Sequence, residues 1–140
     1  MLTVVTGPPR GGKSTYVRDN AQPNDVVLDL DSLAHAMGYP HPHVEWGEDH
    51  PAIDAARMAR AHVLYALLKG RLHANAWVID TRPDGAMRAQ YQRAGAQVIT
   101  IDPGEQVCIE RAADRPAGTL DGITAWYASG AQAMAGTWVL

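Results

Sequence analysis

The sequence predicts an α/β fold of three layers, with a short, mostly parallel sheet of four or five strands between helices. Two observations predict it. Leu2 to Thr6, Val26 to Leu30, Ala76 to Asp80 and Gln97 to Ile101 are short apolar runs rich in valine and isoleucine, the pattern of strands buried on both faces. Stretches of helical length separate them, and such alternation builds a parallel sheet through crossover helices. The 140 residues show no repeat, low-complexity tract or linker, so one domain is expected over 1–140.

The elements come in a regular order. A helix from Lys13 to Asn20 opens directly after a glycine-rich stretch, and a second, Ser32 to Met37, comes after acids that suit a helix start. Pro51 fits a first helical position, and Ile53, Met58, Ala61, Val63, Leu64, Leu67 and Leu68 recur at roughly helical spacing until Gly70 stops the run. Asp84 is the expected N-cap of a helix to Ala94. Pro103-Gly104 precedes a helix from Glu105 to Ala113, in which Cys108 takes an apolar position as a buried small hydrophobe. Leu120 to Ala135 reads as a last helix and Thr137 to Leu140 as an edge strand. A lid is expected near residues 104–118.

Charge and composition exclude some classes. A net charge of -3 with 19% charged residues gives no overall pull toward a polyanion, so any such site must be local. The single cysteine rules out an internal disulfide, which fits a reducing compartment. The N-terminus is too short and uncharged for a signal peptide, and no apolar run reaches membrane-spanning length. A cytoplasmic protein without a membrane partner is the expectation. Lysine occurs only at 13 and 69, so a lysine inside a motif is not filler.

Lys13 lies in such a motif. Gly7-Pro8-Pro9-Arg10-Gly11-Gly12-Lys13-Ser14 matches G-x-x-x-x-G-K-[ST] at every fixed position, between a predicted strand and a predicted helix. The glycines let the backbone of Gly7, Pro9, Arg10, Gly11 and Gly12 turn tightly around phosphates, and the helix N-terminus adds partial positive charge. Lys13 is expected on the β- and γ-phosphates, Ser14 on magnesium, and Thr15 on the α-phosphate. The motif therefore implies ATP and Mg2+ as cofactors.

With Thr15 added, this stretch resembles the P-loop of the polynucleotide kinase and zeta-toxin-like group of small P-loop kinases, within the AAA-type P-loop NTPase superfamily. The resemblance implies a P-loop NTPase fold and transfer of the ATP γ-phosphate to a hydroxyl, first of all the 5′-hydroxyl of a nucleic acid. A nucleotide or small-molecule hydroxyl is the alternative acceptor. An ATP-binding or ATP-hydrolysing module serving a larger complex is the alternative of another class, in which a protein partner completes the site. The chain departs from the group at two places: Arg10 stands where many members carry glycine, and Ala34 where members often place an arginine.

Three further constellations join the motif. Val26-Val27-Leu28-Asp29-Leu30-Asp31 closes a strand with two acids on one face of an extended chain. The resemblance makes Asp31 the acceptor of the hydroxyl proton and leaves Asp29 as a substrate contact; the plain alternative is that Asp31 caps the helix from Ser32. Trp77-Val78-Ile79-Asp80-Thr81-Arg82 ends an apolar run in an acid, so Asp80 is the second expected magnesium contact and Arg82 a candidate for a substrate phosphate. Arg111 and Arg115, four apart on one predicted helix face before Pro116, are the expected lid cations. The segment 38–50 crowds Tyr39, His41, His43, Trp46 and His50 without periodicity, and its rings, Trp46 above all, are candidates for stacking on a base. H-x-H with no cysteine nearby is a poor zinc signature.

Overall fold

A computed structural model describes residues 1–45, 47–130 and 137–139. The order is β1 (Leu2–Thr6), α1 (Lys13–Asn20), β2 (Val26–Leu28), α2 (Leu30–Ala36), α3 (Pro51–Leu68), β3 (Ala76–Ile79), α4 (Gly85–Arg93), β4 (Gln97–Ile101), α5 (Glu105–Arg111), α6 (Ala117–Ala128) and β5 (Thr137–Val139). All pairings are parallel, and the strands lie in the order β2-β3-β1-β4-β5. The expected α/β class with a parallel sheet flanked by helices is thus the observed one.

Alternation along the strands sends side chains to two different helical layers. Val4, Leu28 and Val78 are buried on one face with Leu64 of α3 and Tyr91 of α4. Val5, Ile99 and Ile101 are buried on the other with Val17 of α1. Full burial of such side chains is worth roughly 1.5–3 kcal/mol each, so these two clusters fix the layers. A third cluster, Cys108, Ala112 and Ile123, joins α5 to α6, and Cys108 is the buried hydrophobe its position suggested.

Local signals set most boundaries. Pro51 stands at the start of α3, and the Asp84 carboxylate accepts the Met87 N–H at 2.8 Å as the cap of α4. Several boundaries differ from expectation. β2 ends at Leu28, because Asp29 itself caps α2 and the helix begins at Leu30. α5 stops at Arg111, so Arg115 lies beyond the helix and shares no helix face with it. α6 begins at Ala117, earlier than Leu120, and ends at Ala128. The expected continuation over 131–135 and Leu140 lie outside the described residues.

β1 is central, and the chain leaves it through a crowded turn. Gly7 has φ 145°, and a Cβ built there would lie 2.1 Å from the Ile101 carbonyl oxygen at the end of β4. Gly7→Ala should therefore lower stability by roughly 3 kcal/mol or more in chemical denaturation, since backbone rather than a flexible side chain must move. Gly95, with φ 71° and open space around it, is the control. Gly95→Ala should cost only about 1–2 kcal/mol.

Candidate functional site

A cavity of about 910 Å³ opens at the carboxyl ends of the strands, where open α/β sheets bind ligands. Its floor is the glycine-rich loop from Pro9 to Thr15; Asp29 and Asp31 from the β2–α2 junction, His43 and Glu45 from the loop after α2, and Arg111 and Arg115 also line it. The local sequence explains the floor. Gly11 N–H turns back to the Pro8 carbonyl at 3.0 Å, and Gly12 caps α1 with φ 101° and no side-chain hydrogen bond. The first helical bond is Tyr16 N–H to the Gly12 carbonyl, so the preceding N–H groups at the start of α1 are left for a ligand or water.

Lys13 is 8% exposed, and its Nζ donates to the Gly7 carbonyl at 2.9 Å and the Pro8 carbonyl at 2.7 Å. Burial pushes its amine down to about 8, against the opposing pull of Asp31 foremost among nearby groups. Ser14 and Thr15 stand exposed beside it on the cavity. Arg10 has φ 63°, the one positive φ outside glycine among the described residues. Its Nε and Nη2 donate to the Arg111 carbonyl at 3.0 and 2.7 Å, and Arg111 Nη1 returns a bond to the Arg10 carbonyl at 3.2 Å. The two arginines therefore clasp each other's backbone, and Arg10 neutralises the carboxyl end of α5.

The two acids after β2 have separate jobs. Asp29 accepts the Asp31 N–H at 3.2 Å and the Ser32 hydroxyl at 3.1 Å, the work of a helix cap. Burial, then the charge of Asp31, raises its carboxyl above the usual range. Asp31 is inside the first turn of α2, so the expected pair on one strand face is replaced by a cap and a helical residue, and the capping role expected of Asp31 belongs to Asp29. The Asp31 carboxylate accepts Val44 N–H at 3.0 Å and faces His43 Nδ1 at 3.3 Å.

Asp80 is placed differently from Ser14. Its carboxylate accepts the Tyr91 hydroxyl at 2.8 Å and lies 3.9 Å from Arg60, so it ties β3 to α4 and α3 and is not among the residues lining the cavity. Asp80 is still near enough to the loop for its charge to act on Lys13, the neighbour of Ser14. Arg82 lines the cavity and reaches the Ala125 carbonyl at 3.5 Å, and Arg115 faces Glu45 at 3.8 Å. Trp46 lies outside the described residues. Of the other rings in that loop, Tyr39 is 2% exposed, with His41 and His50 edge-on against it, and these three are not among the residues lining the cavity, whereas His43 is.

Sequence reasoning missed Glu45, Thr119 and Trp126. Glu45 accepts the Thr119 hydroxyl at 2.7 Å, and Trp126 donates to the Thr81 carbonyl at 2.8 Å, so α6 closes one wall. Only the apolar run around Trp126 carried any signal for this wall. No protein-family model matches the chain, and no curated protein matches it. Among the described residues, no helix is long and apolar enough to cross a membrane.

The buried ammonium has a testable sign. Below pH 8 folded and unfolded chains both protonate Lys13, and the fold bears the burial cost; between about 8 and 10.5 only the unfolded chain keeps that proton. Stability should rise with pH across this window. Lys13→Met should lack that rise and be more stable at pH 7 by on the order of 1–3 kcal/mol, read from thermal unfolding of both proteins from pH 7 to 10.5.

Proposed function

We propose that this chain is an ATP-dependent phosphotransferase of the P-loop kinase kind, which moves the terminal phosphate of Mg-ATP to a hydroxyl. The observation that carries the reading is one cavity in which the buried Lys13 ammonium and the open N-terminus of α1 share walls with Asp31, Arg111 and Arg115. Polyphosphate needs the first set, and transfer to a hydroxyl needs the second. The agreement of this geometry with the resemblance carried by Gly7 to Thr15 supports it further.

Each residue has a role in this reading. The loop N–H groups and Lys13 hold the β- and γ-phosphates, with Lys13 giving up its contacts to the Gly7 and Pro8 carbonyls. Arg111 and Arg115 offset charge on the group in transit. Magnesium would be held by the Ser14 hydroxyl and the phosphates themselves, and supplies charge neutralisation there. Asp80, whose Oδ2 holds Tyr91 and Arg60, would act on it through water from Oδ1. Asp31 serves the acceptor hydroxyl from the opposite wall.

The proposed acceptor is the 5′-hydroxyl of a nucleic acid or nucleotide. Arg57 and Arg82, which line the same cavity, supply positive charge for an acceptor phosphate. Tyr39, His41 and His50 pack on one another and are not among the residues lining this cavity. Labelled ATP should be offered to 5′-hydroxyl oligonucleotides, nucleotides and small alcohols. Lys13→Met should abolish transfer and weaken ATP binding by about 10²-fold or more, and Asp31→Asn should lower transfer by roughly 10²- to 10⁴-fold with ATP binding nearly unchanged. Equal transfer by the parent chain and Lys13→Met would remove the reading.

A further inference from the structure

The loop that joins α2 to α3 is fastened at three consecutive residues. His43 Nδ1 meets Asp31 Oδ2 at 3.3 Å, Val44 N–H donates to Asp31 Oδ1 at 3.0 Å, and Glu45 takes Thr119 at 2.7 Å and Arg115 at 3.8 Å. The Val44 side chain packs against the cluster of Ala34, Tyr39, Ala52, Ile53 and Ala56, which anchors the backbone between the other two. An ordinary surface loop has no need of such fastening. Its result is that His43 is held on the cavity wall, 45% exposed, with Asp31 33% exposed behind it.

The chemistry of the pair rests on what each atom can do. An ionised carboxylate only accepts, so the ring must carry its proton on Nδ1 to bond Asp31. In the neutral ring that tautomer leaves the Nε2 lone pair free, and Nε2 has no hydrogen-bond partner among the described residues. Both Asp31 oxygens are already engaged, whereas Nε2 is not. This is the arrangement by which a carboxylate orients an imidazole base.

Building on the phosphotransfer reading, we propose that His43 Nε2 is the general base and that Asp31 is its positioning carboxylate. The acceptor oxygen forms its bond to the terminal phosphorus, the bond from that phosphorus to the bridging oxygen breaks, and ADP leaves with the electron pair. The hydroxyl proton passes to Nε2 and then to solvent. The charged groups around the ring come from every wall of the cavity: Asp31 and Asp29 from α2 and its cap, Glu45 from the ring's own loop, Lys13 from the phosphate loop, Arg57 from α3, and Arg115 with Arg111 from the α5 end. Glu45 is already engaged by Arg115, so Asp31 is the acid in direct contact.

The test uses the whole chain and two independent readouts. Ring ¹⁵N spectra of the unliganded protein should show His43 protonated at Nδ1 and bare at Nε2, and Asp31→Asn should lose that preference. With the best acceptor from the panel, kcat should fall tenfold per pH unit on an acid limb within the pH 5–8 range where imidazoles change charge. His43→Gln should lower kcat by roughly 10²- to 10⁴-fold with little change in KM for ATP, and added imidazole should restore part of the activity of His43→Gly. A flat profile over that range with His43→Gln within a few-fold of the parent returns the base to Asp31, while phosphotransfer itself stands. An Nε2-protonated ring also overturns the proposal. Absence of transfer by the parent chain, equal to Lys13→Met, removes the phosphotransfer reading and the base with it.

Discussion

The exit of the central strand β1 is the constraint on which the site depends. Gly7 passes so close to the Ile101 carbonyl that no side chain fits, and Gly11 is nearly as crowded, with a built Cβ 2.9 Å from the Pro8 carbonyl oxygen and 3.2 Å from that of Ile101. The chain is therefore turned back over the carboxyl end of the sheet within a few residues, and α1 starts with its N–H groups facing the cavity. Every other contributor is placed relative to this loop. Arg111 reaches it through the clasp with Arg10, and Lys13 folds under it.

The opposite wall is built by different means. Asp29 stops β2 and starts α2, which turns Asp31 toward the loop beyond that helix, and Asp31 then gathers His43 and the Val44 N–H. Glu45 carries the connection across to Thr119 and Arg115. These partly buried tethers fall on consecutive residues and together restrict one short backbone stretch. Placement, more than stability, is their product. The same holds for Asp80, whose contacts with Tyr91 and Arg60 fasten α4 and α3 to the end of β3.

Local features are the ones the sequence makes legible. The strands β1 and β4, the loop, α1 and α3 stand out because their signals lie within a few neighbouring residues: valine and isoleucine runs, glycines at turns, Pro51 at a helix start. The roles of Asp29 and Asp31 escape such reading because a strand end and a helix cap differ by one residue, and competing caps are decided by which side chain reaches the next N–H. Arg115 is not on the helix that its spacing from Arg111 predicts, yet it still meets the cavity because the turn before Pro116 brings it to Glu45. The pairing of Asp31 with His43 spans 12 residues, and that of Glu45 with Thr119 spans 74. Such partners leave no periodicity, so tertiary packing alone reveals them.

The electrostatics of the cavity carry a cost that the fold bears. Lys13 is disfavoured as an ammonium by burial, and Asp29 is disfavoured as a carboxylate by burial and by Asp31 beside it. Two groups of opposite sign on one cavity are thus each pushed toward neutrality. An anion on the loop would favour protonated Lys13 by direct attraction, and its release from the Gly7 and Pro8 carbonyls would free the amine to follow that anion. Lys69, the only other lysine, sits instead over the Tyr65 ring at 5.8 Å and has no such part. The crowded turn at Gly7 and the burial of Lys13 thus belong to one arrangement, in which the loop folds over an amine whose charged form burial disfavours.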